Sequence, residues 1–347
     1  MMGIFPRARH TVGLDIGSRL VKVAAVDHSG DEPRLVRIAA LPLASDAIVE
    51  GEIMDLPLVT KTIGDVIGML GMRPQFVVTA IGGRDVIVKR IQMERMPEME
   101  VREVIRWEAQ RYVPFDMESV LLDFQVLDPE AEGLQMSVLL VAAKRDLVEQ
   151  RLKLLKDAGL GPAVVDVDAF ALFNAFEHNY ASASAGSGIL VNVGHETTTV
   201  VVHDQGAPTT TRDIPFGAKQ VRADLRRLHG LSSEVAEEVV RGERSGGAEM
   251  NELLYERGVE LAQAIERAIA LPPRDGSGGL QRVSLSGGGG RMPHILKAIG
   301  DRIRVRVEMS NPFQRLQTVP GAVADLPGDD SAALWMLPVG LALRAPV

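Results

Sequence analysis

The sequence predicts an α/β protein of two lobes with mixed sheets. Two segments, 11–26 and 189–202, share one pattern: an apolar strand, a glycine turn with polar side chains, and a second apolar strand. Strands joined by such turns are typical of β-hairpins. Helical spacing over 58–70 and a short apolar run at 76–81 add a helix and a buried strand to the first half. Because the opening pattern occurs twice, we predict two related halves with a ligand between them.

Composition limits the possible functions. A chain of 347 residues exceeds one typical domain, and its formal net charge of −8 argues against binding nucleic acid or anionic lipid by bulk electrostatics. The absence of cysteine excludes disulfides, thiolate zinc sites and a cysteine nucleophile. No run approaches the ~18 consecutive apolar residues that a membrane-spanning helix needs, and residues 1–10 lack the apolar core of a signal peptide. We therefore expect no nucleic acid partner and no direct membrane insertion.

The first glycine turn has the composition of a phosphate-binding loop. Asp15 ends the first strand, Gly17 permits close approach, and Ser18 and Lys22 add a hydroxyl and a cation. Backbone N–H groups in such a turn bind anions, and a neighbouring aspartate can hold the hydrated Mg²⁺ of a nucleotide. Similar turns occur in sheets without a ligand, so this prediction depends on partner loops further along the chain.

The segment 85–160 predicts a compact inserted subdomain. Its pattern gives a strand, a charged helix, two strands and a second helix, at 86–93, 97 to about 113, 120–127, 136–143 and 145–158. Pro114 stops the first of these helices and Gly159 ends the second. The segment contains no recognisable catalytic grouping, so its expected role is interaction.

Two carboxylates, Asp166 and Asp168, lead from a strand into a helix rich in Ala and Phe over 163–177. This spacing suits metal binding or acid–base catalysis, but aspartate is also a common helix N-cap, which is our interpretation of Asp168. The following segment 181–188 consists of small residues and is predicted to be a linker.

Two further loops follow the linker. The second hairpin turn contains Asn192, Gly194, His195 and Thr197, and 281–299 gives a strand, four glycines and a helix that begins near Pro293. Glycines let backbone approach a flat ligand, and a helix N-terminus favours phosphate. A Rossmann site is the alternative, but Pro293 stands where its third glycine belongs. No P-loop, H-E-x-x-H or G-x-S-x-G motif occurs.

Several stretches together carry a family resemblance: V-G-L-D-I-G-S-R-L-V-K-V, E-A-Q-R-Y-V-P-F-D, R-D-I-P-F-G-A-K-Q-V, L-S-G-G-G-G-R-M-P and P-V-G-L-A-L-R. The chain resembles the actin-like ATPase superfamily, with its ribonuclease H-like fold, and closely resembles the PilM family of type IV pilus assembly proteins, relatives of the division protein FtsA. The implied organisation is a first lobe (1–84), an inserted 1C-like subdomain (85–160), a connecting strand and helix (161–181), a linker (182–188), a nucleotide-binding second lobe (189–331) and a closing helix (332–347).

The resemblance implies ATP and Mg²⁺ as cofactors and assigns residues to them. The phosphate-binding set is Asp15, Gly17, Ser18, Lys22, Asn192, Gly194, His195 and Thr197, with Asp15 reaching Mg²⁺ through water. The adenosine-binding set is Glu238, Arg241, Gly287, Gly288, Gly289 and Met292. Glu238 and Arg241 are also spaced as a solvent-facing pair at i, i+3 on a helix.

Two positions depart from the family pattern, and the first of them bears on hydrolysis. The family usually has an aspartate where this chain has Asn192, and a small residue where it has His195. An amide accepts a hydrogen bond from metal-bound water but brings no charge and cannot act as a base. We therefore expect ATP binding with slow or absent hydrolysis, and we assign no catalytic residue.

The resemblance also implies a partner. PilM-type proteins capture the short cytoplasmic N-terminal peptide of the membrane protein PilN, which holds them on the cytoplasmic side of the inner membrane. We expect the peptide to bind the inserted subdomain and the adjoining first lobe, in a groove or along a strand edge. Other pilus assembly proteins, such as PilO, PilC or the assembly ATPase, are expected to be indirect partners.

Three alternatives stay open. An FtsA-like division protein would carry an amphipathic C-terminal membrane helix, whereas this sequence ends just after the closing helix. A GspL-like type II secretion component would continue into a transmembrane segment. A small-molecule kinase would need a catalytic carboxylate, for which Asp166 and Asp168 are the candidates.

Overall fold

A computed structural model of the chain describes residues 10–130, 132–269, 280–324, 326 and 329–344, without the side chains of 329 and 330. The predictions for residues 1–9 and 345–347 lie outside the described residues. Within these ranges, no helix combines the length and the apolar character that crossing a membrane requires.

In chain order the strands are β1 (His10–Ile16), β2 (Leu20–Asp27), β3 (Arg34–Pro42), β4 (Ile48–Val49), β5 (Glu52–Ile53), β6 (Phe76–Ile81), β7 (Val86–Glu94), β8 (Val120–Val126), β9 (Gln135–Lys144), β10 (Gly161–Val167), β11 (Gly188–Val193), β12 (Thr198–Asp204), β13 (Ala207–Ile214), β14 (Arg282–Ser286), β15 (Arg306–Met309) and β16 (Gln317–Thr318). The helices are α1 (Leu56–Met69), α2 (Glu98–Ala109), α3 (Arg145–Asp157), α4 (Asp168–Asn179), α5 (Ala181–Ser184), α6 (Ala218–His229), α7 (Ser233–Val240), α8 (Gly247–Ile269), α9 (Gly287–Gly290), α10 (Pro293–Ile303) and α11 (Met336–Ala342), with 3₁₀ turns at Met117–Ser119 and Asp329–Trp335.

The first lobe is built on a six-stranded sheet in the order β10-β6-β1-β2-β3-β16. β1 pairs antiparallel with β2 and parallel with β6, so the sheet is mixed. Helix α1 covers one face, where Val59 and Ile63 are fully buried against Leu14 of β1. Helix α11 covers the other face so closely that a Cβ on Gly13 would overlap the carbonyl oxygen of Pro338. The predicted α/β fold with mixed sheets is confirmed.

The second sheet has eight strands in the order β15-β14-β11-β12-β13-β7-β9-β8. One residue pair, Thr210 and Lys89, joins β13 of the second half to β7 of the segment 85–160. The strands of the predicted inserted subdomain therefore extend the second sheet. Helix α3 of the same segment instead packs on the first sheet, where Leu154 and Leu155 are fully buried. The segment thus contributes to two cores.

Two predicted elements differ in the structure. Helix α2 ends at Ala109 rather than near Val113, because the backbone tightens there: Tyr112 N donates to Ala109 O at 2.9 Å and Val113 packs into the core. The segment predicted as a linker contains the helical turn α5 and the first residue of β11. Ser184, at the end of that turn, is buried and bonds Ala181 O at 2.9 Å, so small polar residues here form ordered structure.

The closing helix α11 packs against α4, where Gly340 lies directly on the backbone of Ala171. Just beyond it, the Arg344 guanidinium bonds the Asp166 carboxylate at 2.6 Å, and Asp166 is 3% exposed. Asp166 Oδ1 also accepts the N–H of Val167 at 2.8 Å. Asp166 therefore anchors the end of the chain to the first lobe.

An Arg344→Met variant is expected to lower the free energy of unfolding by about 2 kcal/mol, because it leaves a buried carboxylate without its cation. Urea denaturation measures this loss. Arg302→Met is a matched control: Arg302 is 41% exposed, like Arg344 at 40%, but its partner Glu266 is 38% exposed against 2% for the Asp166 side chain. The control should change stability by less than about 0.5 kcal/mol. Equal losses in both variants would contradict the anchoring role of Asp166.

Candidate functional site

A cavity of about 380 Å³ lies between the two sheets. Its walls come from the β1–β2 turn, the β6–β7 turn, the β4–β5 hairpin, the β11–β12 turn, α3 and the start of α4. Strands β1, β6 and β10 run parallel, so their carboxyl ends meet at this edge of the first sheet. Ligands of open α/β sheets bind outside such strand ends, which makes this cavity the candidate site.

Seven of the eight predicted phosphate-binding residues line this cavity: Asp15, Gly17, Ser18, Asn192, Gly194, His195 and Thr197. The two turns have the same hydrogen bond, since Gly17 N donates to Leu20 O at 3.1 Å and Gly194 N donates to Thr197 O at 2.9 Å. The sequence repeat therefore corresponds to two equivalent turns that border one cavity.

Lys22, the eighth residue, does not line the cavity. Antiparallel register places it opposite Asp15 on β2, and its Nζ lies 2.5 Å from Asp15 Oδ2. The same ammonium group donates to Leu334 O at 2.9 Å. Lys22 therefore holds Asp15 in place and links it to the segment before α11.

The predicted adenosine-binding residues lie outside the cavity walls. Gly287 is adjacent to the second turn: its φ is +81°, and a Cβ there would lie 2.6 Å from Asn192 Oδ1. Only glycine fits this position without strain. Ser286 Oγ also donates to Asn192 Oδ1 at 3.3 Å, so the turn of Gly287–Gly290 packs directly against the β11–β12 turn.

The other members of that set are farther from the cavity. Met292 is 1% exposed in the core of the second lobe. On and just after α7, Glu238 pairs with Arg244 at 3.4 Å and Arg241 bonds Glu237 at 2.9 Å. The end of α7 nevertheless lies beside the start of α10, because a Cβ on Gly242 would contact Pro293.

Asp168, which the sequence predicts as a helix N-cap, lines the cavity instead. It is the first residue of α4; Val167 occupies the N-cap position, and no side chain caps the helix. The capping interpretation is therefore wrong. Its carboxylate packs against Gly82 in the β6–β7 turn, where a Cβ would overlap it. The signal was available in the sequence as a carboxylate directly after a buried strand, but its use required knowing that β10 lies parallel beside β6.

The cavity concentrates negative charge. Burial and then the charge of Asp15 raise the pKa of Asp168 to about 7, against the opposing charge of Arg151. Burial also raises the pKa of Asp213, which accepts hydrogen bonds from Thr199 Oγ1 and the backbone N–H of Gly83. Repelling carboxylates of this kind favour a cation between them.

The carboxylates fit a hydrated magnesium ion that accompanies phosphates. Among the described residues, no cluster of three or more His, Asp or Glu side chains is arranged to hold a metal. Mg²⁺ usually keeps several waters and is bound by one or two carboxylates plus substrate phosphates, rather than by an all-protein cage. Asp15 and Asp168 supply such a pair at the cavity.

Asp168 is expected to make stability depend on pH. Its folded pKa of about 7 lies above its ordinary value of 3.8, so the folded state binds the extra proton and stability falls as pH rises from about 4 through 7. The contribution lost between pH 5 and pH 8 is on the order of 2 kcal/mol. The difference in unfolding free energy between the unchanged chain and Asp168→Asn should grow by that amount over this interval. Added Mg²⁺ should reduce the difference at pH 8; a difference independent of pH would contradict the assignment.

The second turn also contacts the first lobe. Glu196 accepts the N–H of Glu50, in the β4–β5 hairpin, at 2.9 Å and the Lys219 ammonium of α6 at 2.7 Å. Next to it, Arg222 contacts His195 Nδ1 at 3.1 Å. Burial and then the positive charge of Arg222 lower the pKa of His195 to about 4, so the imidazole is neutral at neutral pH.

A second, larger cavity of about 1160 Å³ forms a groove away from the first. Its walls are β8 and β9 of the segment 85–160, the outer face of α4, the β12–β13 turn and the residues after α11. Aromatic and aliphatic side chains contribute to these walls, with charged groups among them: Phe170, Phe173, Leu139, Val141, Arg90, Asp123, Asp128, Glu177 and Arg344. In the described structure β8 is the end strand of its sheet, so one backbone edge is open to pairing.

Comparison with known proteins gives a consistent result. Residues 13–346 match the family model described as type IV pilus assembly protein PilM. A solved structure from a PilM–PilN type IV pilus biogenesis complex is similar to the chain, with a TM-score of 0.83 and 29% identity, covering 98% of this chain and 99% of that one.

Two more distant proteins show the wider relation. FtsA of Bacillus subtilis is 22% identical over 256 residues, which cover 66% of this chain and 56% of FtsA, so the match spans little more than half of that relative. MreB5 of Spiroplasma citri, solved with AMPPNP, has a TM-score of 0.54 and 13% identity over 96% of this chain and 95% of that one. These similarities place the fold among the actin-like ATPases.

Proposed function

The chain belongs to the PilM family of type IV pilus assembly proteins, and we propose that it binds MgATP between its lobes and the N-terminal cytoplasmic peptide of PilN in the groove beside α4. MgATP binding is supported by the pair of equivalent glycine turns that border one cavity. The carboxylates Asp15 and Asp168, at the ends of parallel strands, lie in the same cavity.

Each part of the cavity has a place in nucleotide binding. Backbone N–H groups of the two turns, with Ser18 and Thr197, bind phosphate oxygens. Asp15 and Asp168 bind water molecules of the magnesium ion, and Lys22 fixes Asp15. The magnesium ion itself supplies positive charge that neutralises the phosphates.

The adenosine proposal follows the contacts of the glycine turn. Gly287 and Gly289 pack against Asn192 and Val193 of the second phosphate loop, and Gly288 between them is exposed, so its backbone can meet a ligand. Glu238 and Arg241 bind the nucleoside from the end of α7, and Met292 contributes backbone, since its side chain belongs to the core. Arg241 now donates a hydrogen bond to Glu237, so its guanidinium group must contact both Glu237 and the nucleoside when the nucleotide binds.

Slow ATP hydrolysis is a second candidate, which the position of Asp168 favours. Asn192 brings neither a charge nor a base, but Asp168 borders the same cavity, and its carboxylate can accept a proton from water. We expect weak phosphate release in MgATP that is lost in Asp168→Asn. Steady release that survives this substitution would contradict the role of Asp168.

Binding of the PilN peptide is supported by the groove and by the similarity to the chain from the PilM–PilN complex. An extended peptide can add to the open edge of β8 and place alternate side chains in apolar pockets. Binding to PilN, a membrane protein, holds the chain at the inner membrane from the cytoplasmic side. Other pilus proteins, such as PilO, PilC or the assembly ATPase, are reached through that complex.

Calorimetry tests both halves separately, with MgATP and with a synthetic PilN N-terminal peptide as the two titrants. Saturable binding of each is expected. No heat with MgATP up to millimolar concentration would overturn the nucleotide half, and no heat with the peptide would overturn the partner half.

A further inference from the structure

The side chain of His195 has a defined tautomer. Its Nδ1 lies 3.1 Å from Arg222 Nη1. A guanidinium group has only donors, so Nδ1 must accept this hydrogen bond. The single proton of the neutral imidazole then sits on Nε2. Since His195 lines the interlobe cavity and Nε2 has no partner among the described residues, this N–H is free to meet a ligand.

Arg222 is itself held in place. It lies on α6, its side chain is 19% exposed, and the Glu237 carboxylate of α7 binds both its Nε and its Nη2. Glu237 Oε1 also accepts Arg241 Nε at 2.9 Å. A series of contacts therefore fixes the imidazole on its Nδ1 side: His195 contacts Arg222, Arg222 binds Glu237, and Glu237 binds Arg241.

The environment keeps His195 uncharged. Burial and the charge of Arg222 lower its pKa to about 4, and the other charged groups that act on it are Glu196, Arg19 and Lys219. Two of these three are cations, and Lys219 is paired with Glu196. Between pH 5.5 and pH 8 the ring therefore stays a neutral donor at Nε2.

The position of His195 along the turn indicates which phosphate it meets. The glycine turn that we assign to adenosine contacts Asn192 and Val193, at the beginning of the second phosphate loop. His195 lies further along that loop, toward Glu196 and its contact with the β4–β5 hairpin. If the nucleoside lies beside Gly287, this order along the loop would place the outermost phosphate toward His195.

We propose that Arg222 is a positioning residue that fixes His195 as a neutral Nε2–H donor to the terminal phosphate, so that the site prefers a nucleoside triphosphate to a diphosphate. The proposal rests on nucleotide binding in the interlobe cavity, as proposed above. His195 would then be a specificity residue that Arg222 holds in position. The preference for the triphosphate should not change with pH across the neutral range.

Calorimetry with MgATP and MgADP, from pH 5.5 to pH 8, tests the proposal on the full chain. The unchanged chain should prefer ATP at every pH, and His195→Ala should lose about tenfold in ATP affinity with little change for ADP. Arg222→Met should show the same loss at pH 8, because no donor then holds the ring in the Nε2–H tautomer. Arg222→Lys should restore part of the preference.

Arg227→Met is the matched control, because Arg227 lies on the same helix and pairs only with Asp224 among the described residues. Nitrogen-15 NMR of the unliganded chain, assigned against His195→Ala, should show a protonated Nε2 in the unchanged chain and a tautomer mixture in Arg222→Met. Equal affinity for ATP and ADP in the unchanged chain, or an Arg222→Met variant that keeps both the Nε2–H tautomer and the full ATP affinity, would overturn this inference alone. Absence of any nucleotide binding would overturn both it and the proposed function.

Discussion

An Asp15→Ala variant is expected to bind MgATP at least about 100-fold more weakly than the unchanged chain. Asp15 lines the cavity at the end of β1, and its removal takes away a carboxylate that binds the magnesium waters. A loss of this size corresponds to about 2.7 kcal/mol. Calorimetry with ATP in saturating Mg²⁺ measures it directly.

Asp65→Ala is the control for this variant, since Asp65 pairs only with Lys61 on the exposed side of α1 among the described residues. The control should bind MgATP normally. Repeating the titration in EDTA separates the metal from the fold: the difference between Asp15→Ala and the unchanged chain should shrink greatly. A difference that is equally large without Mg²⁺ would show that Asp15 does not act through the metal.

A Phe170→Asp variant is expected to bind the PilN N-terminal peptide at least about 100-fold more weakly. Phe170 lies on α4, where it is part of the groove wall, and aromatic anchors in such grooves contribute a large share of binding energy. A carboxylate there also loses solvation when the peptide covers it. Fluorescence anisotropy with a labelled peptide measures the change.

The matched control is Phe76→Asp, because Phe76 is 62% exposed at the start of β6 and is not part of the groove wall. Both variants should retain MgATP binding, which shows that they are folded. Undiminished peptide binding by a folded Phe170→Asp would place the peptide elsewhere on the surface.

Local patterns were sufficient for much of this fold. Each glycine turn lies between strands adjacent in the chain, so spacing alone located both turns, and the limits of β6 were predicted to the residue. The repetition of the pattern then predicted that the two turns face one ligand, and both turns line the same cavity. The turns and the strand limits could be predicted because short stretches of sequence carry this information.

Contacts between distant segments were not predictable in this way. Asp168 borders the cavity because β10 pairs with β6, and Lys22 turns toward Asp15 because of strand register. The link from Arg222 to Glu237 joins two helices, and its effect on His195 requires all three positions in space. The sequence contains these residues, but packing decides which of them meet.

The joint between Thr210 and Lys89 makes the second sheet continuous with β7 and β9, while α3 stays embedded in the first lobe. β9 ends at Lys144 and α3 begins at Arg145, so no loop separates them. Any rotation of one lobe against the other must then be absorbed by backbone torsion at this step and at the other short connection between the sheets, the turn between β6 and β7.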